Sequence, residues 1–435
     1  MLLLSVHAAV IACAPAVFAS TRKVQQIVSP AGIKVWLVEE HSIPLVSIRF
    51  AFAGGAALDP LGKEGLATLM SSLLSEGAGT LDAAAFARQL ADQGANLSVS
   101  GNRDRIVGGL DVLSKRFAPS AELLRLALSS PRFDAAALRR VRIQRISDLE
   151  IAAKEPRGVS LRRWYAEAFP SHLYGRPIDG TPESVRRISR DDVKTLHRKV
   201  FARNTLKVVI VGDIGRTDAI QAVDAIFGSL SAHAEFSPLP RPELRAMPEP
   251  IVVRMDQPLA TATFGFASLP TDHPDYPALQ VLNQIIGSGD FDATLMEEIR
   301  VKRGLAYAVQ TSLMNDTLGS VLLGGMATSN ENMGKALVLL KQVLTDTATR
   351  GPTNEQFENA KLYLIGSFVL DFDTNSKLAG SLLKLWLDGK APDFLDERNA
   401  AIERVSLADV RRVAQEILKP KRLLVTIVGQ PNLGQ

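Results

Sequence analysis

Few side chains in this sequence are spaced to do chemistry on their own. Beyond residue 20 the histidines are His41, His172, His197, His233 and His273, and the nearest two lie 25 residues apart. A zinc-chelating pair at i and i+4 on one helix face is therefore missing. No Gly-x-Ser-x-Gly elbow occurs, so Ser-Asp-His hydrolase chemistry lacks its strained nucleophile turn. Gly62-Lys63, Gly334-Lys335 and Gly389-Lys390 are followed by Glu, Ala and Ala, not by the Ser or Thr of a phosphate-binding loop, and Gly287-Ser288-Gly289 reads as a turn. Two groupings are left. Residues 64–76 carry an apolar face of Leu66, Leu69, Met70, Leu73 and Leu74, which puts the hydroxyls of Thr68, Ser71 and Ser72 together on the opposite side of a helix. Arg300 and Tyr307 flank Gly304. A helix that ends at this glycine, followed by a strand over residues 305–313, would let a guanidinium and a phenol converge on a peptide carbonyl or terminal carboxylate. The plainer alternative has Arg300 complementing a helix C-terminus and Tyr307 packing at a sheet edge.

The elements that position these groups belong to a chain of 435 residues, too long for one ordinary domain. With 46% hydrophobic and 22% charged residues, it has enough apolar material for a sizeable core. Lys and Arg number 50 against 46 Asp and Glu, and no long basic stripe accompanies the pI of 9.1, which argues against a nucleic-acid partner. The densest basic stretch, residues 139–145, reads as the solvated face of a helix. Residues 2–19 are uncharged and mostly apolar, include Pro15, and end in Val17-Phe18-Ala19. That is the pattern of a secretory signal peptide over residues 1–19. Cys13, the single cysteine, falls inside it, and the alternative is a lipoprotein anchored through Cys13, since Val10-Ile11-Ala12-Cys13 resembles a lipobox. No later segment reaches about 18 uninterrupted apolar residues, so no membrane span is expected.

Prolines at 238, 240, 242, 248 and 250 mark residues 236–250 as an extended linker between residues 20–235 and 251–435. The two pieces repeat. Ser189, Asp192, Val193 and Gly212 recur as Ser406, Asp409, Val410 and Gly429, all displaced by the same 217 positions. In each copy a serine N-cap with an acid three residues on opens a helix, and a buried strand then ends at the glycine. Strands over residues 33–39 and 45–53, and over 251–255 and 260–266, open the two halves, with amphipathic helices following. The pattern is that of an α+β sandwich in each half, helices packed on one face of a sheet.

The context of the hydroxyl helix resembles the M16 metallopeptidases, the pitrilysin and mitochondrial processing peptidase family. In these, a glycine-containing strand end like Phe52-Ala53-Gly54-Gly55 leads into a helix bearing His-x-x-Glu-His. That family's histidines bind zinc and its glutamate activates water. The matching positions here are Thr68, Ser71 and Ser72, poor zinc ligands without a base, and the family's further zinc-binding glutamate corresponds to the region of Asp148 to Glu150. Ser171-His172-Leu173-Tyr174-Gly175 is similar to the family's His-Pro-Tyr-Gly segment, with His172 itself read as a packing or hydrogen-bonding residue. Residues 295–307 closely follow its Arg-Glu-Lys-Arg-Gly-Leu-Ala-Tyr signature, with Val301 in place of the acid. The resemblance spans the whole chain beyond the leader. It implies two homologous LuxS/MPP-like α/β sandwich domains, each with a mixed, mainly antiparallel sheet, the degenerate zinc motif in the first and the Arg/Tyr pair in the second.

What the resemblance implies for function is the role of a non-catalytic subunit. Arg300 and Tyr307 match the pair that helps hold an extended peptide, while no zinc is expected on this chain. Zn2+ is expected instead on a partner subunit carrying His-x-x-Glu-His, in a periplasmic heterodimer or higher assembly, with this chain inactive alone. The alternative is an M16-like structural or peptide-binding protein with no peptidase role. An autonomous hydrolase is disfavoured because no nucleophile and base can be paired.

Overall fold

The hydrophobic runs of the two halves form two sheets. The computed structural model describes residues 23–434 apart from Pro238 and Pro248, so the expected signal peptide and Cys13 lie outside the described residues. The first sheet contains β1 (Gln25–Val28), β2 (Lys34–Glu39), β3 (Leu45–Ala53), β4 (Asn96–Gly101), β5 (Arg105–Leu113) and β6 (Lys207–Gly212), in the order β1-β2-β6-β3-β5-β4. The second contains β7 (Ile251–Arg254), β8 (Leu259–Ala267), β9 (Ala308–Asn315), β10 (Ser320–Ser329) and β11 (Leu424–Gly429), in the order β7-β11-β8-β10-β9. Each sheet has one parallel pair, β2 with β6 and β7 with β11, and is otherwise antiparallel. The mixed, mainly antiparallel α+β architecture expected from the sequence is what folds.

The repeat is equally visible. Helices Arg190–Val200 and Leu407–Ile417 both open with a capping box, Ser189 with Asp192 and Ser406 with Asp409. Both lead to a strand that ends at a glycine with φ near +142°, Gly212 and Gly429. At Gly212 a Cβ would sit 2.1 Å from the Leu45 carbonyl, so a side chain is excluded on steric grounds as well as by φ.

Helices of its own half cover one face of each sheet. In the first half Val35, Leu37, Ile48, Phe50, Val208 and Ile210 pack against Leu69, Leu73, Leu124, Val193 and Phe227. The strands are buried on the other face too, and by a helix from the opposite half. Helix Asn375–Leu387 lays Leu378, Ala379, Leu382 and Leu383 against Trp36, Val38, Val209 and Val211, and Trp36 stacks on Trp386 with ring centroids 4.8 Å apart. In return, helix Pro156–Ala168 crosses to β11 of the second sheet. There Trp164 Nε1 donates to the Leu424 carbonyl at 3.1 Å, and Ser160 and Thr426 exchange hydroxyl–carbonyl bonds at 3.0 and 2.9 Å. Burial on both faces explains why β2, β6 and β11 read as nearly continuous apolar runs rather than alternating ones.

A polar latch joins the halves where hairpin tips meet. Arg103, between β4 and β5, has a side chain 7% exposed and pairs with Asp316 at 3.1 Å, at the end of β9. Its guanidinium also lies over the rings of Tyr165 and Tyr174, 4.3 and 5.1 Å from their centroids, and donates to the Tyr174 carbonyl at 2.5 Å. The Tyr174 hydroxyl donates to Asp104 and accepts from the Leu318 amide, while Thr317 N donates to Asp104. His172 has Nδ1 accepting from Tyr174 N, so the proton sits on Nε2 and reaches the Pro240 carbonyl of the linker at 3.0 Å. As expected, this histidine bonds and packs.

His197 shows how the first half depends on pH. It lies against Phe133 and Phe201, with Nε2 donating to the Leu128 carbonyl at 2.9 Å. Burial pushes its pKa down to about 4, so the folded protein keeps it neutral. A depressed folded value contributes stability above the ordinary pKa of about 6.5 that is lost as pH falls towards 4. The loss expected by pH 4 is about 3 kcal/mol. Urea unfolding at pH 7 and pH 4 should therefore show a smaller acid-side loss for His197→Gln, whose amide can still donate to Leu128; an equal loss would remove His197 as its source.

Candidate functional site

The hydroxyl motif sits on helix Leu66–Leu73, which is short and held at its start by a buried carboxylate. Asp59 Oδ2 accepts from the amides of Gly65 and Leu66 at 2.8 and 3.1 Å, and Oδ1 from Ala67 at 2.9 Å. Burial pushes the Asp59 carboxyl up, to about 7, against the pull of these three donors. Gly65 adopts φ +92° and a Cβ there would lie 2.5 Å from the Asp179 carbonyl, so the bend into the helix requires glycine.

The three hydroxyls are already engaged. Thr68 donates to Gly65 O at 3.1 Å, Ser71 to Ala67 O at 2.8 Å and Ser72 to Thr68 O at 3.0 Å. Thr68 and Ser71 are 6% and 2% exposed, so this face is sealed rather than open. Helix Ala135–Ala152 covers Ser72, its Arg145 donating to Ser72 Oγ at 3.1 Å and reaching Asp179 at 3.4 Å, while Gly101 of β4 packs against the backbone at Ala67 and Thr68. The acids expected nearby turn elsewhere. Asp148 accepts from Gln144, and Glu150 lies 3.5 Å from Arg186, both on the exposed side of that helix. A zinc ion does not fit this donor set. Its oxygens are neutral and bonded to backbone, and a guanidinium stands beside them. Among the described residues no group of three or more His, Cys, Asp or Glu side chains could hold a metal. Residues 139–145 are thus not simply a solvated face: Arg139 and Arg140 are exposed, but Arg142 bonds the Ile188 carbonyl and Arg145 covers the motif.

The second grouping is open. Arg300 lies in a π-helical turn, Met296–Val301, rather than at the end of a regular α-helix. Gly304, at φ +61°, closes the turn with Gly304 N donating to Arg300 O and Leu305 N to Ile299 O. Tyr307 N joins the ladder to Ala327, and β9 then runs from Ala308, three residues later than the spacing suggested. The wide turn accounts for the shift: residues 302–306 are used to reverse the chain. β9 is an edge strand, paired only with β10, and its outward side chains Ala308, Gln310, Ser312 and Met314 are exposed. Tyr307 is 62% exposed, so it does not pack into the sheet edge. The Arg300 guanidinium rests 4.8 Å from the centroid of the exposed Phe291 ring. Among the described residues neither the Arg300 guanidinium nor the Tyr307 hydroxyl has a hydrogen-bond partner. The fold therefore leaves both side chains exposed with their donors unused, Tyr307 at the start of an edge strand and Arg300 in the turn before it. Asp59, Arg145 and Phe291 were not singled out from the sequence. Asp59 had a local signal, an acid just ahead of a glycine and a helix start, whereas Arg145 and Phe291 acquire their places only through tertiary packing.

Two family models match the chain, and their junction falls within the first half. The insulinase (peptidase family M16) model matches residues 34–182, and the model of the peptidase M16 inactive domain matches residues 187–364. The chain belongs to the M16 peptidase family. This M16 chain is 27% identical over 393 residues to the non-peptidase homolog YmxG of Helicobacter pylori, covering 88% of the chain and 89% of that protein. It is 22% identical to a probable mitochondrial-processing peptidase subunit beta of Schizosaccharomyces pombe, over 86% and 84% of the two chains. The crystal structure of a peptidase M16 inactive domain from Pseudomonas fluorescens superposes with a TM-score of 0.88 at 24% identity, covering 95% of this chain and 99% of that one, which shows a shared fold. With the inactive-domain and non-peptidase matches, the sealed hydroxyl motif makes this a non-catalytic M16 member.

Proposed function

We propose that this M16 chain is the substrate-holding subunit of a heteromeric periplasmic zinc peptidase whose His-x-x-Glu-His motif lies on a partner subunit. The observation that carries the reading is the contrast between the two sites. At the position of the metal motif Thr68 and Ser71 are buried and Arg145 bonds Ser72, while Arg300 and Tyr307 are exposed, before and at the start of an edge strand. An extended peptide would add to the β9 edge through main-chain bonds, and Arg300 and Tyr307 would hold a carbonyl and so fix the register presented to the partner's zinc. Pairing is in keeping with the relative named as a processing-peptidase subunit.

The test is reconstitution. The isolated chain should cleave no peptide, mixing with its zinc-bearing partner should produce activity, and Arg300→Ala should cut kcat/KM of the pair by about 10- to 100-fold, the worth of one charge-assisted hydrogen bond. Full activity of the Arg300→Ala pair would refute the role. Peptide binding without activity in any pairing would point to a binding protein instead.

A further inference from the structure

The turn that carries Arg300 leaves this cation without a counter-charge. Its two acids are spent on other cations: Glu297 lies 2.9 Å from Lys302, and Glu298 lies 2.7 Å from Lys302 and 2.5 Å from Arg303. Among the described residues no carboxylate, that of the exposed Asp292 included, comes within 4 Å of the Arg300 guanidinium. The guanidinium carbon lies 4.8 Å from the centroid of the Phe291 ring, a contact that steadies the planar group through one face and leaves its N–H edge free. Phe291 is itself 61% exposed, and Val301, next along the turn, 59%. An unneutralised guanidinium beside bare apolar surface suits a carboxylate carried on an apolar residue, since a carboxylate accepts from the fork at two oxygens and a neutral carbonyl at one.

The sheet sets the direction of approach. The Arg300 turn leads into β9, whose eight residues at the sheet edge include no charge and no proline, the devices that usually guard an edge. The far end of β9 is tied to the first half by the Arg103–Asp316 pair at 3.1 Å. A peptide pairing antiparallel to β9 runs from that tied end towards the Arg300 turn and so brings its C-terminus there. A parallel peptide would bring an ammonium group instead, which the uncompensated guanidinium repels.

We propose that the β9 edge and the Arg300 turn together recognise the C-terminal end of an extended peptide, with its terminal carboxylate on the Arg300 guanidinium and an apolar last side chain against the Phe291 ring. The inference rests on the peptide-holding reading above and specifies it: the carbonyl held is the last one of the peptide. The substrate class is then a peptide with a free C-terminus and an apolar final residue, its preceding residues paired along β9.

Calorimetric titration of the full chain, with no partner, decides it. The probes are the N-acetylated hexapeptide Thr-Val-Ser-Val-Thr-Phe as free acid, the same peptide as C-terminal amide, and the free acid ending in Ser instead of Phe. The free acid ending in Phe should bind tightest, the amide about 10-fold or more weaker, and the Ser-ended acid about 5-fold weaker. Arg300→Ala should abolish the preference for acid over amide, and Phe291→Ala the preference for Phe over Ser. Both side chains are exposed, so the circular dichroism and Tm of the free chain should not change. No binding of the free acid at millimolar concentration, or a preference for acid over amide that survives Arg300→Ala, would overturn the proposal. Equal binding of acid and amide would overturn it too, and a reconstituted pair that still loses activity on Arg300→Ala would then leave the peptide-holding reading standing with an internal carbonyl as the held group.

Discussion

Replacing Arg103 by alanine is expected to lower the unfolding free energy by about 3–5 kcal/mol, the cost typical of removing one partner from a buried ion pair. The guanidinium is nearly inaccessible, and its loss strands Asp316, whose carboxyl burial already pushes above its usual range while Arg103 draws it down. It also removes the cation lying over Tyr165 and Tyr174 and the donor to the Tyr174 carbonyl. The damage should fall on the junction of the halves, because Asp316 and the tyrosines lie on opposite sides of it. Urea denaturation measures the loss. The double variant Arg103→Met/Asp316→Leu should regain much of it, since no charge is then buried alone. If Arg103→Ala costs under about 1 kcal/mol, the pair behaves like an exposed one and the latch is not a source of cohesion.

The second large effect concerns metal binding. Restoring the family motif with Thr68→His, Ser71→Glu and Ser72→His should not by itself give a tight zinc site. Arg145 reaches the side chain at position 72, and a unit charge about 5 Å from a dication is repelled by roughly 7 kcal/mol at an effective dielectric of 20. Partial exposure of Arg145 lets water and side-chain movement remove about half of that. Adding Arg145→Ala to the triple variant should therefore tighten zinc by about 100-fold or more, read by competition with a chromogenic chelator. Equal zinc affinity with and without Arg145 would show that the guanidinium swings clear and does not oppose the metal.

Much of the architecture was readable because it was written locally. The capping boxes at Ser189 and Ser406, the proline run at residues 236–250 and the strand-ending glycines at 212 and 429 each act through the backbone within a few residues. What the sequence hid depends on distant neighbours. The sequence pattern implied helices on one face of each sheet, and nothing in the apolar runs of β2 and β11 specified a second cover supplied by the other half. Arg145 sits among arginines that look alike in one dimension, and only its facing helix separates the motif seal from its solvated neighbours. The Arg300–Tyr307 spacing was legible as a motif, whereas the π-helical turn that carries Arg300 and the late start of β9 were not, since periodicity does not distinguish a widened turn from a helix end.

The crossing of helices Pro156–Ala168 and Asn375–Leu387 has a consequence for how this chain holds together. Each half covers the second face of the other's sheet with a helix, so the molecule resembles two helix-swapped copies fused by a tether. The tether is then topologically dispensable. A protease cut within residues 236–250 would leave two fragments clasped by mutual helix cover rather than free to diffuse apart. By the same reasoning neither fragment made alone has a complete sandwich, and the two synthesised together would be expected to assemble as one body. For this fold the unit of folding is the embrace of both repeats, even though the unit of duplication is one.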